Sequence, residues 1–155
     1  MSTVKMCRIS SIDSKNTEKI GENLGRNLRG GEIIELVSDL GGGKTTLVRG
    51  LAKGAGSKDT VASPSFTISR EYIAAKFTIH HFDFYRLSEP GLVQYELSDK
   101  LGDPKIVVVA EWADVVQGVL PKKRLVIKIT KTSNVGREIK FKYSPSLDYL
   151  VVGLC

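Results

Sequence analysis

The sequence predicts an α/β fold built on a mixed sheet, with a parallel core, antiparallel edge strands and helices on both faces. The β-branched run Lys105–Ala110 does not alternate between polar and apolar residues, which is typical of a strand covered on both faces in a parallel sheet. Two later segments, Leu125–Ile129 and Glu138–Tyr143, alternate more regularly and predict an antiparallel pair with one face toward water. The third observation is the apolar segment Ile33–Val37, which leads through a glycine-rich loop into a helix-forming segment.

The remaining segments supply the other elements of this sheet. A helix is predicted from Ser14 to Leu28, because Ile20, Leu24 and Leu28 recur four residues apart on one face. Ser14 is its predicted N-cap, and the glycines at positions 30 and 31 are its stop signal. The further predictions are strands over Thr67–Tyr72 and Phe77–Phe84 and a helix over Gly91–Leu101.

Length and composition indicate one globular domain over residues 1–155. Hydrophobic residues make up 41% of the chain and charged residues 26%, without a repeat, linker or low-complexity stretch. No apolar stretch approaches the ~20 residues of a membrane span, so we expect no membrane association and a cytoplasmic location. The net charge of +6 suits polyanionic ligands such as nucleotides or RNA, but no arginine-rich arm or aromatic platform marks an RNA-binding face. Cys7 and Cys155 lack metal-ligand spacing and are expected to be reduced thiols without a role.

The segment Ser38–Thr46 has the sequence and the context of a phosphate-binding P-loop. Glycines allow consecutive backbone N–H groups to turn toward phosphates, because no Cβ blocks the approach, and the helix N-terminus adds unpaired N–H groups. Lys44 is predicted to reach the β- and γ-phosphates, and the Thr45 hydroxyl is predicted to hold Mg²⁺. Ser38 stands where the general pattern begins with Gly, and we expect its bulk to affect catalytic rate more than fold.

Two acidic residues follow predicted strands and are the candidates for a catalytic or metal-binding carboxylate. Glu111 ends the strand over Lys105–Ala110, and Asp83 ends the segment before it. Carboxyl ends of parallel strands are where α/β sheets place their ligands, so both side chains are expected beside the P-loop. One would hold Mg²⁺ and the other would orient the attacking water, and the sequence leaves open which does which.

Two further features lie near these positions in the sequence. A loop rich in Ser, Thr and Pro contains Ser65 and Thr67, whose hydroxyls are candidates for sensing the γ-phosphate, with an ordinary proline turn as the alternative. Trp112 directly follows Glu111 and is expected either in the core or beside the nucleotide, where its ring could pack on a base.

Taken together, these residues resemble the bacterial TsaE family, the small ATPases of tRNA threonylcarbamoyladenosine biosynthesis. The likeness extends over most of the chain, and the ordered set of motifs is far more specific than a P-loop alone. In chain order the main motifs are Asp39–Thr46, Ser63–Thr67, Arg70–Tyr72, His81–Leu87 and Glu111–Ala113.

The resemblance implies a P-loop domain with ATP and Mg²⁺ as ligands, slow ATP hydrolysis, and TsaD and TsaB as partners. In that picture the ATPase supports those partners and meets tRNA only indirectly through them, and DNA is not expected. The catalytic residues are then Lys44, Asp83 and Glu111, and the metal is held by Thr45, Asp83 and Glu111. The nucleotide-binding residues are Asp39, Leu40, Gly41, Gly42, Gly43, Lys44, Thr45, Thr46, Ser65 and Trp112.

Three positions depart from the pattern of the family. They are Ser38 for the first P-loop glycine, Gly42 for the more usual Ala, and Ser65 for Thr. Two other functions remain open: a nucleotide-gated binding module with little hydrolysis, and a small-molecule P-loop kinase. A kinase must close a lid over two substrates, and the chain has no long basic insertion to serve as one.

Overall fold

The computed structural model describes residues 3–39, 41–64 and 68–155. Seven strands form one sheet in the order β1-β7-β6-β2-β5-β4-β3. The strands are β1 (Lys5–Ser11), β2 (Ile33–Val37), β3 (Ser69–Ile73), β4 (Thr78–Asp83), β5 (Ile106–Glu111), β6 (Leu125–Lys131) and β7 (Arg137–Tyr143). The α-helices are α1 (Ser14–Asn27), α2 (Lys44–Gly54) and α3 (Val93–Lys100), and two 3-10 helices cover Ala113–Val116 and Pro145–Val151.

The direction of the strands confirms the predicted mixed sheet. The four central strands β6, β2, β5 and β4 run parallel, whereas β1, β7 and β3 pair antiparallel with their neighbours at the two edges. The β-branched run predicted as a buried parallel strand is β5, which lies between β2 and β4. Its residues from Val107 to Glu111 are all buried, as expected for a strand covered on both faces.

Helices cover both faces of the sheet and enclose two apolar clusters. The larger cluster lies under α1, α2 and the C-terminal 3-10 helix, with Leu24, Leu51 and Leu150 among its buried members. The smaller one lies under α3 and the 3-10 helix Ala113–Val116, where Leu97 and Phe82 are fully buried. Alternation along β2 supplies both clusters, because Ile33 belongs to the smaller one and Ile34 to the larger one.

Four glycines allow α1 and α2 to pack with their backbones almost in contact. A Cβ at Gly21 would overlap the Leu47 carbonyl oxygen, and one at Gly50 would overlap the Glu18 carbonyl oxygen. The same reciprocal contact recurs one turn later at glycines 25 and 54. Because side chains are absent at the crossing, α2 is held tightly against α1, and this contact helps to fix the start of α2, where the P-loop ends.

Some local predictions were wrong. The N-cap of α1 is Asp13, whose side chain accepts a 2.8 Å hydrogen bond from the Asn16 N–H, so the predicted cap at Ser14 is one residue late. Strand β1 and the C-terminal 3-10 helix were not predicted. β1 is an edge strand in which the partly buried Cys7 and Ile9 alternate with exposed residues, but one of these is the apolar Met6, so the pattern does not stand out.

The two cysteines are joined in the structure. Cys7 on β1 and Cys155 at the C-terminus form a disulfide with their Cα atoms 6.1 Å apart. The prediction that they are reduced thiols was therefore wrong. Spacing along the sequence could not reveal the pairing, because the fold brings together residues 148 positions apart.

Candidate functional site

The described residues of the loop between β2 and α2 include two glycines in left-handed conformations. β2 ends at Val37 and α2 begins at Lys44. Gly41 has φ +75° and Gly43, the residue before α2, has φ +103°, both in the left-handed region where a side chain would be strained. These turns bring the loop to the N-terminus of α2, where unpaired N–H groups and the helix dipole attract anions.

Lys44, the first residue of α2, is buried against this loop. Its Nζ donates to the backbone carbonyls of Ser38 (3.0 Å) and Asp39 (3.4 Å), and lies 4.0 Å from Glu111 Oε1. Burial lowers the pKa of Lys44 from its ordinary value of 10.5, and three nearby carboxylates, first that of Glu111, oppose the shift. The ammonium group is thus held between the loop carbonyls and a carboxylate.

The structure brings the two predicted carboxylates together. Asp83 and Glu111 are partners in the register of the parallel strands β4 and β5, and both are nearly fully buried. One Asp83 oxygen accepts a 2.9 Å hydrogen bond from the Tyr85 N–H, which orients the carboxylate. Glu111 reaches Lys44 with one oxygen and bonds the His81 ring with the other. Both acids therefore sit at the carboxyl edge of the parallel core, as predicted from their positions at strand ends.

Trp112 lies over the lysine. Its backbone has φ +54°, a left-handed conformation that is strained for a bulky residue and turns the chain directly after Glu111. The indole ring lies 4.4 Å from Lys44 Nζ and 4.9 Å from the Tyr85 ring. This cation–π contact puts the tryptophan at the lysine end of the P-loop.

A cavity of about 280 Å³ joins these groups. Its lining consists of Gly41, Gly42, Gly43, Lys44, Thr45, Thr46, Ser63, Asp83, Glu111 and Trp112. Nearly all the described residues predicted to bind nucleotide or metal therefore share one concave surface, and Asp39 lines the larger neighbouring cavity instead. Leu40 and Ser65, which were also predicted, lie outside the described residues, as does Thr67.

The donor set fits a magnesium ion that is shared with phosphate. Within residues 3–39, 41–64 and 68–155, no group of three or more His, Cys, Asp or Glu could hold a metal ion. Mg²⁺ binds through one or two carboxylates together with substrate phosphates more often than in an all-protein cage. Thr45, Asp83 and Glu111 supply oxygen donors of that kind along the cavity wall.

Two departures from the family pattern compensate each other. A Cβ at Gly42 would overlap the Ser38 hydroxyl and would come within 3.0 Å of Ser38 Cβ and the Asp39 carbonyl oxygen. The Ser38 side chain therefore occupies the space that an alanine at position 42 would need. Its hydroxyl also donates to the Asp39 carbonyl oxygen at 3.1 Å. The expected bulk of Ser38 is thus accommodated inside the loop by Gly42.

Sequence reasoning missed Arg137, which supports the P-loop from the β6–β7 hairpin. Its Nε donates to the Gly42 carbonyl oxygen at 2.9 Å. Arg137 also lines a smaller cavity of about 150 Å³ together with Asp13, Ser14, Thr17, Gly43, Thr46, Asn134 and Val135. Nothing in the local sequence marks this arginine, because it reaches the loop across 95 positions of chain. Ser63, which lies two residues before the predicted Ser65, was also missed.

No helix in the described parts of the chain is long and apolar enough to cross a membrane.

Comparison with known proteins identifies the family of the chain. The profile of the family described as "Threonylcarbamoyl adenosine biosynthesis protein TsaE" matches residues 11–139. A relative from Bacillus subtilis named tRNA threonylcarbamoyladenosine biosynthesis protein TsaE is 32% identical, over 89% of this chain and 86% of the relative. A relative of the same name from Nostoc is 35% identical, over 74% of this chain and 72% of the relative.

A solved structure extends the likeness to the whole fold. The crystal structure of YdiB from Bacillus subtilis superposes with a TM-score of 0.78 at 29% identity, covering 99% of this chain and 95% of that one. Because the family profile spans most of the chain and its relatives align over most of their length, this chain belongs to the TsaE family of tRNA threonylcarbamoyladenosine biosynthesis proteins.

Proposed function

We propose that this chain is a single P-loop ATPase domain, over residues 1–155, that binds and hydrolyses Mg-ATP in support of tRNA N6-threonylcarbamoyladenosine modification. The observation that carries the proposal is the meeting of Lys44 with the buried carboxylates of Asp83 and Glu111 in one glycine-lined cavity. A glycine-rich turn alone would need neither of these acids. Burying these carboxylates costs free energy unless each is paired or has a functional role.

In this proposal some residues bind phosphate, and others bind the metal ion or orient the attacking water. Backbone N–H groups around Gly41–Thr46 would hold the phosphates, and Lys44 would exchange its loop carbonyls for phosphate oxygens. Thr45, with Asp83 or Glu111, would hold Mg²⁺, which would neutralise phosphate charge when bound. The carboxylate that does not hold metal would orient the attacking water, and Trp112 would cover the lysine end of the cavity.

We infer the direction of the nucleotide from the cavity that contains Lys44 and the cavity that contains Arg137. Lysine of a P-loop reaches the β- and γ-phosphates, so the cavity with Lys44 and both carboxylates takes the γ-phosphate end. The nucleoside then lies on the other side of the loop, toward the smaller cavity that Thr46 and Arg137 line. In this orientation Trp112 lies near the terminal phosphates, which favours a phosphate-side role for its ring over stacking on a base.

The partners are a further part of the proposal. We infer that the ATPase acts in the cytoplasm with TsaD and TsaB and contacts tRNA through that complex. Slow turnover that depends on the partners is consistent with a lysine already engaged by loop carbonyls and a carboxylate.

Nucleotide titration tests the proposal directly. The chain has one tryptophan, so fluorescence of Trp112 reports binding of Mg-ATP at the cavity. Lys44→Ala and Thr45→Ala should weaken binding by about 30-fold or more, the size expected for losing hydrogen bonds to charged groups. Lys53→Ala is the matched control, because Lys53 lies on the same helix but pairs with Glu22 in an exposed position. Undiminished affinity in both loop variants contradicts the proposal.

Phosphate release separates an ATPase from a nucleotide-gated binding module. Asp83→Asn and Glu111→Gln should lower turnover by about 100-fold or more if they position metal or water. The measurement is made with and without the TsaD–TsaB complex. Binding of Mg-ATP with no phosphate release in either condition would leave the binding module as the better description.

A further inference from the structure

A buried chain of hydrogen bonds connects Glu111 to the loop that contains Ala62 and Ser63. His81, on β4, is fully buried, and its Nε2 bonds Glu111 Oε2. The Nδ1 atom of the same ring lies 3.2 Å from the Tyr72 hydroxyl on β3. That hydroxyl donates to the Ala62 carbonyl oxygen at 3.0 Å. The chain thus runs from a carboxylate of the site, through two strands, to the backbone of the loop.

The Tyr72 hydroxyl is the group through which this chain reaches the loop backbone. Burial raises the pKa of Tyr72, so the phenol keeps its hydrogen. A phenol has one hydrogen, and Tyr72 uses it on Ala62. The same hydroxyl oxygen lies within hydrogen-bond distance of His81 Nδ1. The other ring nitrogen, Nε2, bonds Glu111 Oε2, so the imidazole joins the hydroxyl to the carboxylate.

Both ends of this chain reach the same cavity. Oε2 of Glu111 is committed to His81, so Oε1 is the oxygen that faces Lys44. At the other end, Ser63 follows Ala62 and lines the cavity beside Glu111. Tyr72 and His81 lie behind these groups with 2% and 0% of their surface exposed. A purely apolar core would avoid the desolvation that these polar atoms incur.

We propose that His81 and Tyr72 are positioning residues that hold Glu111 Oε1 toward the cavity and couple this carboxylate to the loop that carries Ser63. The inference rests on the proposed nucleotide function, because it concerns how that site is aligned. Neither residue is catalytic. These hydrogen bonds form only when the loop and the Glu111 carboxylate are both in place. The loop and Glu111 therefore adopt their binding geometry together.

Two conservative variants with matched controls test the kinetics. Tyr72→Phe removes only the hydroxyl, and His81→Gln keeps a donor that can reach Glu111 but not Tyr72. Tyr143→Phe and His80→Gln are the controls: Tyr143 is buried on β7, and His80 precedes His81 but faces Glu71. We expect Tyr72→Phe and His81→Gln to lower kcat about tenfold with KM for ATP within about twofold of wild type, the effect of one misaligned hydrogen-bonded group. The concentration of Mg²⁺ needed for half-maximal nucleotide binding should rise, while the controls stay at wild-type values.

Nuclear magnetic resonance of the wild-type protein tests the coupling without any variant. The chain contains two histidines, so each serves as reference for the other. Addition of Mg²⁺ and a non-hydrolysable ATP analogue should shift the ring resonances of His81 and leave those of His80 in place. Failure of the wild type to bind Mg-ATP would remove the proposed function and this inference with it. Binding by the wild type with an unmoved His81 ring, or with both variants matching their controls, would overturn the positioning role alone.

Discussion

The contact between Ser38 and Gly42 makes a prediction about the P-loop that can be measured as a double-mutant cycle. Gly42→Ala places a methyl group on the Ser38 hydroxyl. Rotation of Ser38 would move the hydroxyl away only by breaking its bond to Asp39, and Ser38 Cβ and the Asp39 oxygen would still lie 3.0 Å from the new carbon. We therefore expect Gly42→Ala to lower the free energy of unfolding by about 2 kcal/mol, within the range for overpacking.

Ser38→Gly alone should lower the free energy of unfolding less than Gly42→Ala does. Ser38→Gly loses one exposed hydrogen bond and adds backbone freedom to the unfolded chain, about 1 kcal/mol together. In the double variant the hydroxyl and the Ser38 Cβ are gone, so the new methyl group meets only the Asp39 oxygen at 3.0 Å. The double variant should lose about 1 kcal/mol rather than the additive 3 kcal/mol, a coupling of about 2 kcal/mol.

Urea unfolding of the four proteins measures this coupling, and Trp112 fluorescence reports nucleotide affinity in each. Gly118→Ala is the control, because a Cβ there meets nothing within 4 Å. We expect Gly42→Ala to weaken Mg-ATP binding, since the clash displaces the loop backbone, and the double variant to recover it. Additive losses, or a Gly42→Ala protein as stable as the Gly118→Ala protein, would refute the idea that the two departures compensate.

Two further predictions concern stability. Burial lowers the pKa of His80 from its ordinary value of 6.5, although Glu71 opposes the shift. Below about pH 6.5 the unfolded chain therefore binds more protons than the folded one, and the free energy of unfolding decreases as the pH decreases. His80→Gln should flatten the unfolding free energy measured between about pH 7 and 5, and an unchanged slope contradicts this reading. The Cys7–Cys155 bond closes a separation of 148 residues, so in the chain-entropy model its loss costs up to about 5 kcal/mol. Reductant should lower the urea midpoint of the wild type but not of Cys155→Ser, and equal midpoints with and without reductant would show that the bond contributes nothing.

The parts of the site that the sequence predicted are those whose chemistry is local. Glycines, Lys44 and Thr45 occupy consecutive positions, and a strand before them and a helix after them are enough to define a P-loop. Asp83 and Glu111 could be predicted as neighbours from one rule, because the carboxyl ends of parallel strands share an edge. Their partnership in the register of β4 and β5 agrees with that rule.

The parts that were missed depend on which strands lie side by side. His81 bonds Glu111 because β4 pairs with β5, and Tyr72 meets His81 because β3 pairs with β4. Arg137 reaches Gly42 from a hairpin at the other side of the sheet. Tyr72 and His81 lie in motifs of the family resemblance, but spacing along a single sequence contains no strand order and so could not predict their contacts. Arg137 could not be separated from an ordinary surface residue.

The charges around the cavity explain why metal and nucleotide should bind together. Two carboxylates face one lysine, and Glu111 already lies 4.0 Å from that lysine. A triphosphate without metal would bring more negative charge to buried acids, and repulsion between like charges is strong where water is excluded. Mg²⁺ alone would find the Thr45 hydroxyl and one carboxylate, too few ligands for its octahedral shell without several waters. Mg²⁺ therefore supplies the positive charge that the triphosphate needs, and the triphosphate supplies oxygen ligands that Mg²⁺ needs. Nucleotide affinity that does not depend on Mg²⁺ would place Asp83 and Glu111 outside the metal shell and leave them acting on water or on Lys44.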